Sequence, residues 1–243
     1  MNDPANSDLL WSKIHLAEGR LFAATEAFWG HPEIGAMLPD FLVQAFHVMR
    51  CGFSLMSVAG ERALRLQDDP VAIDLAAYLQ VHLEEELGHD QWMLDDIQTL
   101  GLSEREVLQT PPCAAVVELI GKQYFWIMQG HPVAVMGYLT LLEGYAPVAE
   151  QLEEIRLRTG APASAFRCLK SHAEDDPSHL ADLNGTLDRM DLTVEHSRVV
   201  GLSAFSAIEC LASLLEELAA KHRGRAVART ANRHAQEPLH AGA

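Results

Sequence analysis

Residues 41–56 of the chain are FLVQAFHVMRCGFSLM, a stretch in which apolar side chains recur at helical spacing. The apolar positions of the repeat are Phe41, Leu42, Ala45, Phe46, Met49, Phe53, Leu55 and Met56. A repeat of about three to four residues places one apolar stripe along a helix that faces a protein core. The stretch therefore predicts a long core helix from Leu38 to about Leu66.

Proline, glycine and capping residues divide the rest of the chain into further helices. Asp69 and Pro70 are an N-cap and a first-turn proline, and they begin a helix that Gly101 ends. Helices are predicted over residues 8–29, 38–66, 70–100, 110–129, 132–158 with a kink at Pro147, 163–172, 176–190 and 193–223. The sequence thus predicts an all-α protein of seven or eight helices in one domain over 1–223, with a disordered C-terminal tail over 224–243.

The composition narrows the class of protein and of partner. The 243 residues are 49% hydrophobic and 21% charged, which suits one globular core. A net charge of −16 disfavours nucleic acid and anionic membranes as partners. The four cysteines form no CxxC pair, which argues against a disulfide framework. Neither a signal peptide nor a run of about 18 apolar residues is evident, so we expect a cytoplasmic protein.

Residues 82–89, HLEEELGH, contain the first candidate metal ligands. Glu86 and His89 are three residues apart, so one helical face would present a carboxylate and an imidazole to the same ion. His82 precedes His89 by seven residues and is a reserve candidate on that face, and Glu85 is a further alternative to Glu86. The alternative is an acidic, solvent-exposed helix face that carries an incidental histidine.

Two further segments carry candidate ligands. Glu143 follows a strongly apolar run and needs a partner if it is buried, although it could also lie at the polar edge of its helix. His172, Asp176 and His179 stand at i, i+4 and i+7, a stripe of ligands suited to iron or manganese. In the competing interpretation Asp176 is the N-cap of a helix that begins at Pro177.

The three segments together resemble the haem-oxygenase-like di-iron oxidases and oxygenases, over roughly residues 35–220. The final His/Asp/His spacing is the most specific part of the resemblance. It implies a bundle of the haem-oxygenase-like type over 1–223, a fold shared with thiaminase II and the coenzyme PQQ synthase. It also implies two Fe(II) ions, with Mn/Fe left open, and O2 as co-substrate. The implied catalytic metal ligands are Glu86, His89, Glu143, His172, Asp176 and His179, with Glu143 as a bridge.

The resemblance implies an O2-dependent non-haem di-iron oxidoreductase that acts on a small molecule related to amino acids or fatty acids. The reactions of such enzymes are C–C cleavage, dehydrogenation, hydroxylation and N-oxygenation. A self-sacrificing branch, which consumes one of its own tyrosines with the help of a lysine, is disfavoured because 145–158 contains no lysine. The electron donor is not identified, and a homodimer stays open.

Two other classes of function are weighed against this one. A metal-free enzyme of the same fold, either a thiaminase II-like hydrolase or a PQQ synthase-like oxidase, stays open, but neither Cys168 nor Cys210 has a signature of a nucleophile. A non-enzymatic iron-binding protein of the ferritin type would require two Glu-x-x-His motifs on paired helices, and the predicted helical domain over 1–223 has one.

Overall fold

The computed structural model describes residues 4–236, apart from the side chains of Asp176 and of residues 223–236. Within this part the chain forms eleven α-helices and two 3₁₀ turns, with no strand, so the all-α prediction is confirmed. The helices are α1 (Asn6–Ala17), α2 (Gly19–Trp29), α3 (Ile34–Ala63), α4 (Pro70–Glu85), α5 (His89–Gln98), α6 (Glu104–Gln109), α7 (Ala114–Gln129), α8 (Val135–Gly144), α9 (Ala149–Thr159), α10 (Arg167–Arg189) and α11 (Val194–Gln236). The 3₁₀ turns are Pro132–Ala134 and Ala163–Phe166.

Two long helices organise the core. Helix α11 packs against α2, α7 and α8, while α3, the helix predicted from residues 41–56, packs against α4, α5 and α7. Helix α8 is buried from Val135 to Leu141 and lies directly on α11. At Gly137 the two backbones are so close that a Cβ atom would lie 2.9 Å from the amide nitrogen of Ala204. This close packing fixes the end of α8, where Glu143 is located.

The single helix predicted over 70–100 is wrong. Helix α4 ends at Glu85, Glu86 is its C-cap, and α5 begins at His89. Gly88 between them has φ +92°, a left-handed conformation that glycine adopts without steric cost and that ends a helix. The predicted N-cap is correct, since Asp69 accepts hydrogen bonds from the Val71 and Ala72 amides. At the other end α5 stops at Gln98, and Gly101 follows it with φ +92°.

Other predicted boundaries also differ from the structure. The predicted 132–158 helix is not kinked at Pro147 but broken, because α8 ends at Gly144 and α9 starts at Ala149. A proline lacks the amide donor that a continuing helix requires there. The predicted 8–29 helix is divided at Glu18. In contrast, α10 continues through Pro177, and α11 extends to Gln236, beyond the predicted end at 223.

Two helices, Ile34–Ala63 and Val194–His222, are long and apolar enough to cross a membrane by length and composition. Both belong to the packed core, with 44% and 61% of their most apolar windows buried. Core helices of soluble proteins meet the same criterion, so this finding is weak evidence for a membrane span.

Candidate metal centre

Seven polar side chains from four helices meet at one place in the bundle, and all but Glu85 are largely buried. They come from the last turn of α4 and its C-cap, the first residue of α5, the end of α8 and the middle of α10. They are His82, Glu85, Glu86, His89, Glu143, His172 and His179.

The first group of possible ligands consists of Glu86, His89 and His172. The Oε2 atom of Glu86 lies 3.0 Å from Nδ1 of His89 and 3.6 Å from Nε2 of His172. One ligand atom from each of the three residues lies within 4.8 Å of the other two. Nδ1 of His172 is 2.9 Å from the carbonyl oxygen of Cys168, which can only accept, so Nδ1 must carry the proton. The lone pair of a neutral His172 is therefore on Nε2, which faces Glu86.

The second group contains His82, Glu86, Glu143 and His179, and it shares Glu86 with the first. Nε2 of His82 is 3.4 Å from Oε1 of Glu143, and Nδ1 of His179 is 3.5 Å from Oε2 of the same carboxylate. Nδ1 of His179 also lies 3.9 Å from Oε1 of Glu86. Glu86 thus stands between two sets of imidazoles, whereas Glu143 contacts only the second set.

Four buried atoms of this centre have no hydrogen-bond partner in the described part of the chain: His82 Nε2, Glu86 Oε1, Glu143 Oε2 and His179 Nδ1. Each buried polar atom without a partner costs about 1–3 kcal/mol, more when the group is charged. A cation bound between the four atoms would satisfy all of them. Imidazole nitrogens mixed with carboxylate oxygens suit iron or manganese, so the residues present fit the predicted metal.

The two carboxylates are ionised in this environment. Burial alone would raise the pKa of Glu86, but the imidazoles of His172 and His89 outweigh burial and hold the pKa well below its usual range. The two imidazoles that face Glu143 lower the pKa of that carboxyl in the same way, again against burial. Both carboxylates are therefore negatively charged at neutral pH and available as ligands.

Two of the histidines gain protons from the same contacts. Burial lowers the pKa of His172, but the Cys168 and Glu86 groups beside it raise the pKa to about 11. Contact with Glu143 raises the pKa of His179 to about 9, against the effect of burial. Protons thus balance the carboxylate charge in the absence of a cation, and a metal ion would displace them when it binds.

The structure brings five of the six predicted ligands together, but one local prediction about them is wrong. Glu86 and His89 do not share a helical face, because the turn at Gly88 separates α4 from α5. Their side chains meet through that turn. The prediction that His172 and His179 lie on one helical stripe is confirmed, and Asp176 does not begin a helix, because α10 is continuous from Arg167. The side chain of Asp176 lies outside the described residues, so its role as a ligand stays a prediction.

His82 belongs to the centre although the sequence ranked it only as a reserve. The side chain is 3% exposed, and Nε2 points at Glu143. Its Nδ1 is 3.6 Å from Oε2 of Glu85, which lies on the outer side of the centre. The spacing of seven residues from His89 was the signal in the sequence, but the contact between α4 and α8 decided its importance.

A second cluster of possible ligands, Asp69, His131 and His196, has a structural role instead. The Val133 amide donates to Nδ1 of His131 at 3.1 Å, so a neutral His131 carries its proton on Nε2. Nε2 donates that proton to Oδ2 of Asp69 at 3.0 Å. Both nitrogens are thereby used, and His131 has no lone pair left for a metal. The contact ties the start of α4 to the turn before α8.

A pocket of about 300 Å³ lies against the outer side of the centre, between α4 and α10. His82 and His179 form its inner end, and Asp182 and Arg189 of α10 line its outer part. The pocket therefore gives a small molecule access to the second group of possible ligands.

Comparisons with known proteins identify the fold of the chain and its family. Among solved structures, a domain of unknown function with a haem oxygenase-like fold from Shewanella denitrificans OS217 is 20% identical, with a TM-score of 0.71 over 89% of this chain and 90% of that one. A TenA homologue from Pseudomonas syringae pv. tomato DC3000 is 13% identical, with a TM-score of 0.63 over 88% of this chain and 93% of that one. At these identities the similarity shows the fold, and the predicted haem-oxygenase-like architecture is confirmed.

A model of a protein family gives the remaining finding. No curated protein sequence matches the chain. The family model described as iron-containing redox enzyme matches residues 40–210, which include every described residue of the centre. The chain belongs to the family of iron-containing redox enzymes.

Proposed function

We propose that the protein is a non-haem di-iron enzyme that uses O2 to oxidise a small molecule in the cytoplasm. The observation that carries the proposal is the pair of ligand groups joined at Glu86, together with the four buried atoms of the second group that have no hydrogen-bond partner among the described residues. A single metal ion would use the ligands of only one of these groups. Two groups with a common carboxylate are the arrangement expected of a binuclear site.

Each ion would be held by two imidazoles and by carboxylate oxygen. His89 and His172 would bind the first ion, and His82 and His179 the second, with Glu86 shared between them. The resemblance implied Glu143 as the carboxylate shared by the two ions, but Glu86 belongs to both groups of possible ligands and Glu143 to only one, so Glu86 would be the shared ligand. Asp176 stays a predicted ligand without an assignment to either ion. Bound Fe(II) would supply electrons and open coordination positions for O2, which protein side chains do not provide.

The residues of the chain have three tasks in this scheme. The Cys168 carbonyl orients His172 and fixes its tautomer. Burial of His82, His89 and Glu143 keeps bulk water from the centre and strengthens the electrostatic contacts inside it. The pocket between α4 and α10 brings the substrate to the His82–His179 side.

The test is anaerobic loading with Fe(II), followed by exposure to O2. We expect about two irons per chain and a transient visible absorption after O2 is added. Glu86→Gln should lower the content of both ions because the residue belongs to both groups, whereas His89→Gln should affect mainly one. Glu84→Gln, a neighbouring exposed glutamate, is the matched control and should load normally. About one iron per chain or fewer in the wild type, or no response to O2, would refute the proposal.

A metal-free hydrolase of the thiaminase kind is the second candidate, and one contact favours it. Sγ of Cys168 lies 3.9 Å from Nδ1 of His172, so a thiol and an imidazole are neighbours. The same Nδ1 faces the Cys168 carbonyl, however, and the thiol is fully buried and does not line the pocket. Activity that survives chelation and disappears in Cys168→Ser would support this candidate over the di-iron enzyme.

A further inference from the structure

Asp96 is a buried carboxylate outside the metal centre. It lies on α5, its side chain is 1% exposed, and both of its oxygens accept hydrogen bonds. Oδ2 accepts from the Cys168 amide at 2.7 Å, and Oδ1 accepts from Nε of Arg167 at 2.9 Å. Arg167 and Cys168 are the first two residues of α10. Asp96 therefore joins α5 to the beginning of α10.

This carboxylate takes the place of a helix cap. The N-cap residue of α10 is Phe166, whose side chain cannot accept a hydrogen bond, and Cys168 is fully buried. The first amides of a helix have no partner inside the helix, and a buried amide without a partner is costly. Asp96 accepts from this amide although it belongs to another helix, so the contact fixes where α10 begins relative to α5.

The same two helices carry the imidazoles of the first group of possible ligands. His89 is the first residue of α5, seven residues before Asp96, and His172 follows Cys168 by one helical turn. The two imidazole rings are 4.8 Å apart. The carbonyl oxygen of Cys168 accepts from Nδ1 of His172 at 2.9 Å, and Sγ of Cys168 lies 3.5 Å from the carbonyl oxygen of His89. The position of Cys168 therefore determines how the two imidazoles face each other.

The break before α5 explains why such a contact is needed. Because Gly88 separates α4 from α5, no continuous helix sets the position of His89 relative to Glu86. The ten-residue α5 packs on α3 and α10 through an apolar cluster. Apolar packing is not directional, whereas a hydrogen bond to a buried carboxylate selects one geometry. Apolar side chains of similar volume often stabilise a fold as well as a buried ion pair does, so stability alone does not explain Asp96.

We propose that Asp96 is a positioning residue for the first metal ion, on which it acts through Cys168 without touching the ion. The inference rests on the proposed function, because it concerns the ion that His89 and His172 would bind. Asp96 holds the Cys168 amide, and the Cys168 carbonyl holds His172 with Nε2 directed at Glu86.

The second ion should depend much less on this contact. Its ligand on α10 is His179, eleven residues beyond Cys168 and about 16 Å further along the helix axis. The other residues of the second group, His82 and Glu143, lie on α4 and α8, which Asp96 does not contact. Loss of the Asp96 carboxylate should therefore weaken binding of one ion out of two.

The experiment is anaerobic titration with Fe(II), which measures the dissociation constant and the iron retained per chain without turnover. Asp96→Leu should weaken binding of the first ion about tenfold or more, the usual effect of losing a contact that orients a metal ligand, and should retain about one iron. Asp96→Asn keeps an oxygen that accepts from the Cys168 amide, and the exposed Arg167 can turn to solvent, so this variant should retain about two. Two irons in Asp96→Leu, or equal losses in both variants, would overturn the inference.

Asp188→Leu is the matched control. Asp188 accepts from the Ser7 amide at 2.8 Å, and Ser7 is the second residue of α1 just as Cys168 is the second residue of α10. Helix α1 is not one of the four helices that form the metal centre. Both leucine variants should lower the melting temperature of the iron-free chain, because each leaves a first-turn amide without its acceptor. Only Asp96→Leu should lose iron, and an equal loss in Asp188→Leu would overturn the inference.

Double variants identify the ion that is affected. Asp96→Leu combined with His89→Gln should retain as much iron as His89→Gln alone, because both changes act on the first ion. Combined with His179→Gln, Asp96→Leu should lose iron at both positions, and the reverse pattern would overturn the inference. If Asp96→Leu does not fold, Asp96→Ala makes the same comparison with room for a water molecule.

Arg167→Met separates the ion pair from the contact to Cys168. It removes the guanidinium and leaves the hydrogen bond from the Cys168 amide to Asp96, so it should retain about two irons. Loss of the first ion in this variant would overturn the inference. Two irons in the wild type together with two in Asp96→Leu refute the positioning role alone, whereas about one iron or fewer in the wild type refutes the proposed function.

Discussion

Gly137→Ala should destabilise the protein strongly, because α8 and α11 are in backbone contact at this glycine. The new Cβ atom would lie 2.9 Å from the amide nitrogen of Ala204, 3.1 Å from the carbonyl carbon of Val200, and closer still to the oxygen of that carbonyl. Non-bonded heavy atoms normally lie about 3.5 Å apart or more. All three neighbours are backbone atoms of α11, so no side chain can rotate away, and α8 and α11 have to separate.

Overpacking of this kind costs about 3 kcal/mol, the upper part of the usual range, because the obstacle is rigid. For a chain of this size, that free energy corresponds to a fall in the melting temperature of about 6–12 °C. Glu143 is on α8, six residues after Gly137, so the separation should also displace this carboxylate from His82 and His179 and lower the iron content.

The assay is thermal unfolding followed by circular dichroism, with the iron content of each variant measured in parallel. Gly121→Ala is the matched control, because a Cβ atom there meets nothing within 4 Å in the middle of α7. Alanine is a better helix former than glycine, so this control should raise the free energy of unfolding by up to about 1 kcal/mol. The reasoning is refuted if Gly137→Ala melts at or above the wild-type temperature, or if both variants shift in the same direction.

Three further predictions concern the metal centre and the contact between α3 and α11. Fe(II) at a hundredfold excess over its dissociation constant should raise the free energy of unfolding by about 2.7 kcal/mol, and a chelator should reverse the gain; an unchanged melting curve contradicts metal binding. His82→Gln should lower the iron content towards about one per chain, because Glu143 loses one of its two imidazoles. The variant His15→Gln, at an exposed histidine, should leave the iron content unchanged. Equal iron content in both variants contradicts a role of His82. Burial would raise the pKa of Asp40, but contacts with Lys221 and His222 lower it. The stability lost in Asp40→Asn should therefore be largest at neutral pH and vanish as the pH falls below about 4 through the folded pKa. A loss of stability that does not depend on pH in denaturant titrations contradicts this prediction.

The sequence by itself determined the features that depend on neighbouring residues in the chain. The apolar repeat over 41–56 predicted the core helix α3, and the capping residues at 69–70 predicted the start of α4. The spacing of His172 and His179 predicted one stripe, because a helix converts a seven-residue interval into a common face. The sequence also suggested which side chains could serve as ligands, since mixed imidazole and carboxylate groups suit iron or manganese.

Only the tertiary structure decided how these parts meet. Nothing local distinguishes Gly88, which breaks the predicted helix, from a tolerated helical glycine; its left-handed conformation depends on where α5 has to pack. The contact of His82 with Glu143, and the place of Glu86 in both groups of possible ligands, depend on the approach of α4 to α8 and α10. These helices are distant from α4 in the sequence. The pocket between α4 and α10 likewise exists only because two helices that are distant in the sequence pack together. Burial and side-chain direction at such contacts are non-local properties, so spacing along the chain could suggest candidate ligands but could not choose among them.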